Sequence, residues 1–297
     1  MAAVPLTDTL VLGFPEYAAP ARRMAAALAV PYAEVELHRF PDQEVLVRLP
    51  VDLPRHVIVC RSLDRPDPKL IELLFTAESA RGAGVTRLEL VAPYLCYMRQ
   101  DCAFRPGEAV SQQILGRWLA RLFDGVVTVD PHLHRVHRFE DAVPAGRARC
   151  LSGAAPLADF LRSHAQEALL IGPDAESRQW VEAIARLAGM DYLVAEKARR
   201  SDRDVSVTLP HGGLDSRRVV IVDDVASTAR TLAAAARAAR GAGAAAVDCI
   251  VTHGLFVDDA EDMLRAEGVD RLWSSDSVPH RSNAVELAPL LAAAMEE

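Results

Sequence analysis

The 297-residue chain is long enough to bury a sizeable core and to form two ordinary domains. Its 33 basic and 41 acidic residues leave a net charge of −8, which argues against a nonspecific nucleic-acid or anionic-membrane surface, so any phosphate must be met locally. The five cysteines (60, 96, 102, 150 and 249) are odd in number and lack C-x-x-C spacing, which points away from a disulfide framework or zinc ribbon and towards a reducing cytoplasm. From the start, MAAVPLTDTLVLGFPEYAAP has no basic stretch leading into an apolar one, and no run of about 18 apolar residues suggests a membrane span, so the chain reads as soluble and unprocessed. Short Val/Ile/Leu runs then alternate with longer Ala/Leu/Arg segments of helical period, which predicts βα units around largely parallel sheets. The spacing predicts strands at 9–13, 57–60, 87–92, 126–129, 168–171, 219–222 and 247–252. It predicts helices at 18–29, 67–81, 110–121, 154–164, 175–188, 228–241 and 258–266.

No Gly/Ser linker is visible, but the turn-rich DAVPAGRARCLSGAAPL (141–157) lies midway and suggests a division into 1–147 and 148–297. Segments echo each other across it. LELVAPYLCYMRQD (88–101) and ALLIGPDAESRQW (168–180) each run from a strand through Pro into a polar loop. VVTVDPHLHR (126–135) and VVIVDDVAST (219–228) each put Asp straight after four strand residues. Either the chain is duplicated or these are the general likenesses of α/β segments.

In open α/β sheets, ligands bind beyond the carboxyl ends of the strands. Asp223 and Asp224 are expected at such an end, where carboxylates can accept hydrogen bonds from the paired hydroxyls of a ribose. Ser227, Thr228, Ala229 and Thr231 follow in a hydroxyl-rich loop that opens a helix, where free N–H groups and the positive dipole end can hold a phosphate. Acids for a diol beside a cradle for a phosphate describe a sugar-phosphate site.

VVIVDDVASTART (219–231) resembles the phosphoribosyl-pyrophosphate (PRPP) loop shared by type I phosphoribosyltransferases and the PRPP synthetases, or ribose-phosphate diphosphokinases. Four further segments, in order, resemble the synthetases alone: RFPDQE (39–44), PYLCYMRQDCAFRPGEAVS (93–111), VDPHLHRVHRFED (129–141) and EKARR (196–200). The resemblance implies two tandem type I phosphoribosyltransferase-like α/β domains with central, mostly parallel sheets, an ATP side in 1–147 and a ribose-phosphate side in 148–297. The implied reaction passes the β,γ-pyrophosphate of ATP to the C1 hydroxyl of ribose 5-phosphate. Phe40, Asp42 and Glu44 would reach the adenine of ATP in a neighbouring subunit, which implies a homodimer or larger homo-oligomer. Arg99, Gln100, Asp101 and His132 would bind ATP, a guanidinium offering phosphate a bidentate fork.

The cofactor implied is Mg²⁺. Clustered imidazoles favour zinc, copper or nickel, whereas adjacent phosphates favour Mg²⁺ completed by water and substrate. Asp130 and His132 belong to the metal-nucleotide site by resemblance, Asp174 joins on the ribose-phosphate side, and His134 and His137 match nothing assignable. Asp174, Asp223, Asp224 and the 227–231 loop would hold ribose 5-phosphate, and Lys197 and Arg199 would act from a catalytic flap in the charged stretch 196–213.

Three departures from the family pattern bear on the acceptor. Arg230 and Gln43 each stand where the family usually has Gly, and Glu176 and Ser177 follow Asp174 where it has a smaller pair. These departures keep a silent regulatory homologue or an altered acceptor as the alternative. A nucleobase phosphoribosyltransferase would need neither the R-Q-D segment nor a second half.

Overall fold

In the computed structural model, which describes residues 8–133, 135–136, 138–199, 205–210 and 214–296, the chain divides into two units. One runs to Leu151 and is completed by the segment from Leu287 onward; the other is Ser152–Glu286.

The first unit contains β1 (Thr9–Gly13), α1 (Ala18–Ala27), β2 (Tyr32–Glu34), β3 (Glu36–Arg39), β4 (Val45–Arg48), β5 (His56–Cys60), α2 (Pro66–Gly82) and β6 (Arg87–Val91). It continues with α3 (Ser111–Leu122), β7 (Gly125–Val129), the short α4 (Phe139–Ala142) and β8 (Arg147–Leu151). Six of these strands form one sheet in the order β2-β1-β5-β6-β7-β8, every pairing parallel. Strands such as HVIVC and GVVTV are apolar along their length because helices cover both faces. Leu12, Val59 and Leu90 pack with α2 and α3 on one face, while Val11, Ile58 and Val127 pack with α1 and the C-terminal residues Leu291, Ala292 and Met295 on the other. β3 and β4 form a separate antiparallel hairpin.

The second unit repeats the plan with α5 (Ala154–His164), β9 (Leu169–Gly172), α6 (Arg178–Ala188), β10 (Tyr192–Val194), the hairpin β11 (Glu196–Arg199) and β12 (Val205–Thr208), and β13 (Arg218–Ala226). It closes with α7 (Arg230–Gly241), β14 (Ala246–Gly254), α8 (Ala260–Ala266), β15 (Arg271–Ser275) and β16 (Asn283–Val285). Its parallel sheet runs β10-β9-β13-β14-β15-β16, strand for strand the order of the first. Two sheets of one topology, each with its hairpin inserted after the second strand, are a duplicated architecture.

The structure departs from the expected division at 147/148 in two places. A cut there would sever β8 at its first residue, although all five of its residues pair with β7. The last helix, α9 (Ala288–Glu296), packs against α1 and so belongs to the first unit. β13 extends four residues past the expected 222 because its ladder with β14 continues through Asp223↔Val251 to Ala226↔Gly254. Asp223 and Asp224 therefore lie inside the strand's carboxyl end. No helix of the described residues is long and apolar enough to cross a membrane.

Candidate active site

In the second unit, Asp223 is partly buried and Asp224 buried. Burial, then the neighbouring carboxylates of Asp224 and Asp174, push the Asp223 carboxyl well above its ordinary range. Its Oδ1 accepts from the Asp224 N–H at 3.0 Å, and Asp224 Oδ1 accepts from the Val225 N–H at 2.8 Å. Asp174 follows β9, the strand paired with β13. Its Oδ1 accepts from the N–H groups of Glu176 and Ser177, both at 3.1 Å, so one carboxylate oxygen is spent on the turn that leads into α6.

That turn explains the Glu176–Ser177 departure. Ser177 is fully buried and its hydroxyl donates to the Asp174 carbonyl at 2.6 Å, so it braces the turn rather than crowding a ligand. Glu176 is exposed.

The loop after β13 is held from outside. Leu255 and Phe256 N–H both donate to the Ala226 carbonyl, at 2.9 and 3.0 Å, and Val257 N–H donates to that of Ser227 at 3.1 Å. Ala229 takes the left-handed conformation, φ 54°, at the start of α7, and no side chain caps that helix. Its first N–H groups thus lack a side-chain acceptor, beside Ser227, Thr228 and Thr231. Arg230 is the first helical residue and exposed, so the permissive backbone position is Ala229 and Arg230 adds a cation without backbone conflict.

Lys197 and Arg199 hold alternate positions of β11, paired with Val207 and Val205 of β12. The expected flap is therefore a β-hairpin in its described part; Arg200, the last residue of the EKARR segment, lies outside the described residues, as do 201–204 and 211–213.

In the first unit, Phe40, Asp42 and Glu44 occupy the turn between β3 and β4. Phe40 N–H donates to the Glu44 carbonyl at 2.8 Å, and Glu44 N–H to Asp42 Oδ1 at 3.2 Å. Phe40 is 39% exposed and meets the His38 ring edge-on at 4.7 Å. Gln43 has φ 74°, a conformation that glycine adopts freely, which gives the family's preference a backbone reason.

Arg99 is exposed in the loop after β6, and Gln100 is tied to the start of α3 through Ser111 Oγ (3.2 Å) and the Gln112 N–H (3.2 Å). Asp101 is buried and turned inward. Its Oδ2 accepts from the Arg135 N–H at 3.1 Å and its Oδ1 from the Arg135 guanidinium at 2.6 Å. Burial pushes this carboxyl up, but Arg135 outweighs it and holds it below the usual range. Arg135 is a residue the sequence reading missed; its only signal is a place three residues after His132. Asp130 and His132 follow β7 with φ 38° and 35°, and the His132 N–H donates to the Asp130 carbonyl at 2.8 Å. Two non-glycine residues in this conformation are a local strain of the kind that accompanies ligand sites. His134 and His137 lie outside the described residues.

A family model for the N-terminal domain of ribose phosphate pyrophosphokinase matches residues 11–122, and one for the phosphoribosyl transferase domain matches 149–277. A ribose-phosphate pyrophosphokinase of Methanopyrus kandleri is 34% identical over 97% of this chain and 98% of its own length. The chain belongs to the ribose-phosphate pyrophosphokinase family. A second such relative, from Thermococcus kodakarensis, is 30% identical over 87% of this chain and 90% of that one. The fold agrees: the crystal structure of phosphoribosylpyrophosphate synthetase from Mycobacterium smegmatis superposes with a TM-score of 0.82, at 21% identity, covering 97% of this chain and 98% of that one. The family model for the N-terminal domain spans the 40–44 turn and the 99–101 loop, and the phosphoribosyl transferase model spans Asp174, the β11–β12 hairpin and the β13–α7 loop.

Proposed function

We propose that this pyrophosphokinase transfers the β,γ-pyrophosphate of Mg–ATP to the C1 hydroxyl of ribose 5-phosphate, giving PRPP and AMP. The observation that carries the reading is the acidic end of β13 running directly into the uncapped start of α7. Carboxylates accept from vicinal hydroxyls, and open helix N–H groups donate to an anion, so one strand–loop–helix unit suits a sugar phosphate. Asp223 and Asp224 then orient the ribose, and Ser227, Thr228, Ala229 and Thr231 hold its 5-phosphate. Arg99 and Gln100 meet the triphosphate of ATP. Asp101 acts one step back, fixing Arg135 and with it the loop that carries His132. Phosphoryl-group transfer needs in-line placement and charge neutralisation rather than a covalent enzyme intermediate, and Lys197 and Arg199 on the β11–β12 hairpin supply cations to the moving phosphates.

The residues fit Mg²⁺. It is a hard cation that takes few protein oxygens and completes its shell with water and phosphate. The crowding of Asp174, Asp223 and Asp224 leaves negative charge that such a cation relieves. Asp174 on this side, and Asp130 with His132 on the nucleotide side, are the residues to hold it. When bound, Mg²⁺ would supply positive charge against the charge that develops on the transferred phosphates.

A homodimer in which Phe40, Asp42 and Glu44 complete a neighbour's adenine pocket fits the surface of the first unit. Phe40 is exposed, as are Ile71 and Phe75 of α2 and Ile114 of α3, and Ile114 lines an apolar hollow of about 330 Å³ with Leu70, Tyr97 and Trp118. The five free cysteines accord with a cytoplasmic enzyme. The test is AMP release from Mg–ATP on adding ribose 5-phosphate. No release would favour a regulatory homologue, release with another sugar phosphate would indicate an altered acceptor, and PRPP consumption with a free base would indicate a phosphoribosyltransferase.

A further inference from the structure

The turn that bears Phe40, Asp42 and Glu44 stands at the tip of a two-stranded hairpin, an element that is marginal without outside support. Leu37 and Val47 of its strands pack on the core, and one side chain adds a polar link from the tip. Arg39, the last residue of β3, donates from Nη1 to the Gln43 carbonyl at 3.1 Å and from Nη2 to Glu72 Oε1 at 2.7 Å. Glu72 lies on α2, 3% exposed, and its other oxygen accepts from the guanidinium of Arg61. Arg61 is only 2% exposed; its Nε donates to Glu16 Oε1 at 2.7 Å, and its guanidinium stacks on the Phe14 ring at 3.8 Å. Two guanidinium groups thus meet two carboxylates, and the buried cation is compensated. The loop that Arg61 begins also touches the 93–101 segment, since Leu63 N–H donates to the Tyr94 carbonyl at 3.0 Å.

Exposed ion pairs hold little, because water screens them and two flexible chains must be ordered. The Arg39–Glu72 pair differs in that its carboxylate is buried and is also held by Arg61. The guanidinium fork then spans two acceptors, one on the core helix and one on the turn. A lysine ammonium, a single point of charge, lacks that fork geometry.

We infer that Arg39 is a positioning residue for nucleotide recognition: bridging Glu72 and the Gln43 carbonyl, it holds the 40–44 turn in the conformation that reads adenine. The inference rests on the reading of Phe40, Asp42 and Glu44 as the adenine-binding segment. Two acids accept from the exocyclic amine of adenine, whereas guanine presents a carbonyl at that place, so a slack turn loses base discrimination as well as affinity.

Glu72 is a poor place to test this, because its removal strands the buried Arg61 and threatens the fold. The variants are Arg39→Met, which keeps the aliphatic stem, Arg39→Lys, which keeps the charge, and Phe40→Ala, which reports on the segment itself. Each is assayed for KM of ATP, KM of ribose 5-phosphate, kcat, the ratio of kcat/KM for ATP over GTP, and thermal midpoint. Arg39→Met is expected to raise the KM for ATP about tenfold and to lower the ATP/GTP ratio, consistent with loss of a charge-assisted contact, with the other KM and the midpoint near wild type. Arg39→Lys is expected to recover only part of the effect, and it carries the same readouts should Arg39→Met fail to fold. If Phe40→Ala raises the KM for ATP while neither Arg39 variant changes it or the ratio, the inference is overturned and the adenine reading stands. Full rescue by Lys overturns the two-acceptor bridge. If Phe40→Ala also leaves ATP binding and base preference unchanged, the adenine reading itself falls and takes the inference with it.

Discussion

Replacing Asp223 by Asn tests whether the acid pair is kept for function at a cost to the fold. Asn preserves the side-chain carbonyl that accepts from the Asp224 N–H at 3.0 Å, so shape and hydrogen bond are retained while one charge is lost. Burial and the carboxylates of Asp224 and Asp174 act together against that charge. Two unit charges about 5 Å apart repel by about 3 kcal/mol at an effective dielectric constant of about 20, and the partial exposure of Asp223 roughly halves this. Asp223→Asn in metal-free buffer is therefore expected to be more stable by about 1–2 kcal/mol, a rise of about 3–8 °C in the thermal midpoint of the second unit. Turnover should fall at least about tenfold, the minimum expected when a charge-assisted bond to the ribose becomes a neutral one. Calorimetric melts, read beside AMP release and ATP binding, decide it. A variant that melts lower than wild type and keeps full turnover would refute both halves of the reasoning; equal loss of ATP binding would move Asp223 off the ribose side.

Lys197→Ala and Arg199→Ala should each lower kcat by about 10²–10³ while changing either KM far less, as expected for contacts made in the transition state; unchanged kcat in both would return the hairpin to a solvated role. Mixing a Phe40→Ala/Glu44→Ala chain with a Lys197→Ala chain, each nearly inactive alone, should restore activity if one site draws on two subunits; subunit exchange confirmed by mass spectrometry with no activity regained would exclude a shared site. For Glu261, burial pushes the carboxyl up, but the Arg281 hydrogen bonds and the charge of His280 outweigh it, so it titrates below its ordinary 4.5. The stability it adds is full above 4.5 and lost as pH falls through the lowered value, so Glu261→Gln should melt lower than wild type at pH 7 and match it in strong acid; a gap that persists there would refute the assignment.

What the sequence makes legible follows from burial. VVIV and LLIG read as strands because both faces of a parallel sheet are covered, so every residue is apolar. The same rule hides the end of β13: Asp223 and Asp224 interrupt the apolar run, although the ladder with β14 continues past them. The edge strands Tyr32–Glu34 and Tyr192–Val194 are three residues long and largely half-buried, too short to display a period. The Ala/Leu-rich C-terminal segment has a helical composition, but nothing local tells it to pack on α1 rather than on the unit it follows. At the site, the acid pair and the hydroxyl loop are visible as a pattern, whereas the Arg39–Glu72–Arg61 bridge joins residues 33 and 11 positions apart. Its one local trace is Glu72 in the otherwise apolar LIELLF run of α2, a charge that needs a partner to be buried.

The duplication gives that bridge a further meaning. β5 pairs with β1 as β13 pairs with β9, and Gly13 and Gly172 close the corresponding first strands. In that register, Cys60 answers to Val222, and Arg61 takes the position of Asp223. One backbone slot at the carboxyl end of a central strand therefore carries opposite charge in the two halves. In the first unit, the slot holds a cation turned into the core and fully paired, which anchors a hairpin. In the second, it holds an acid pressed against two others, whose charges add to burial in pushing its carboxyl above the ordinary range. A compensated buried charge can serve the architecture, but crowded carboxylates weaken it and persist where a ligand repays them. The asymmetry of a single repeated position thus separates the half in which the slot is paired into the core from the half in which it stands among carboxylates, where the sugar-phosphate site is proposed.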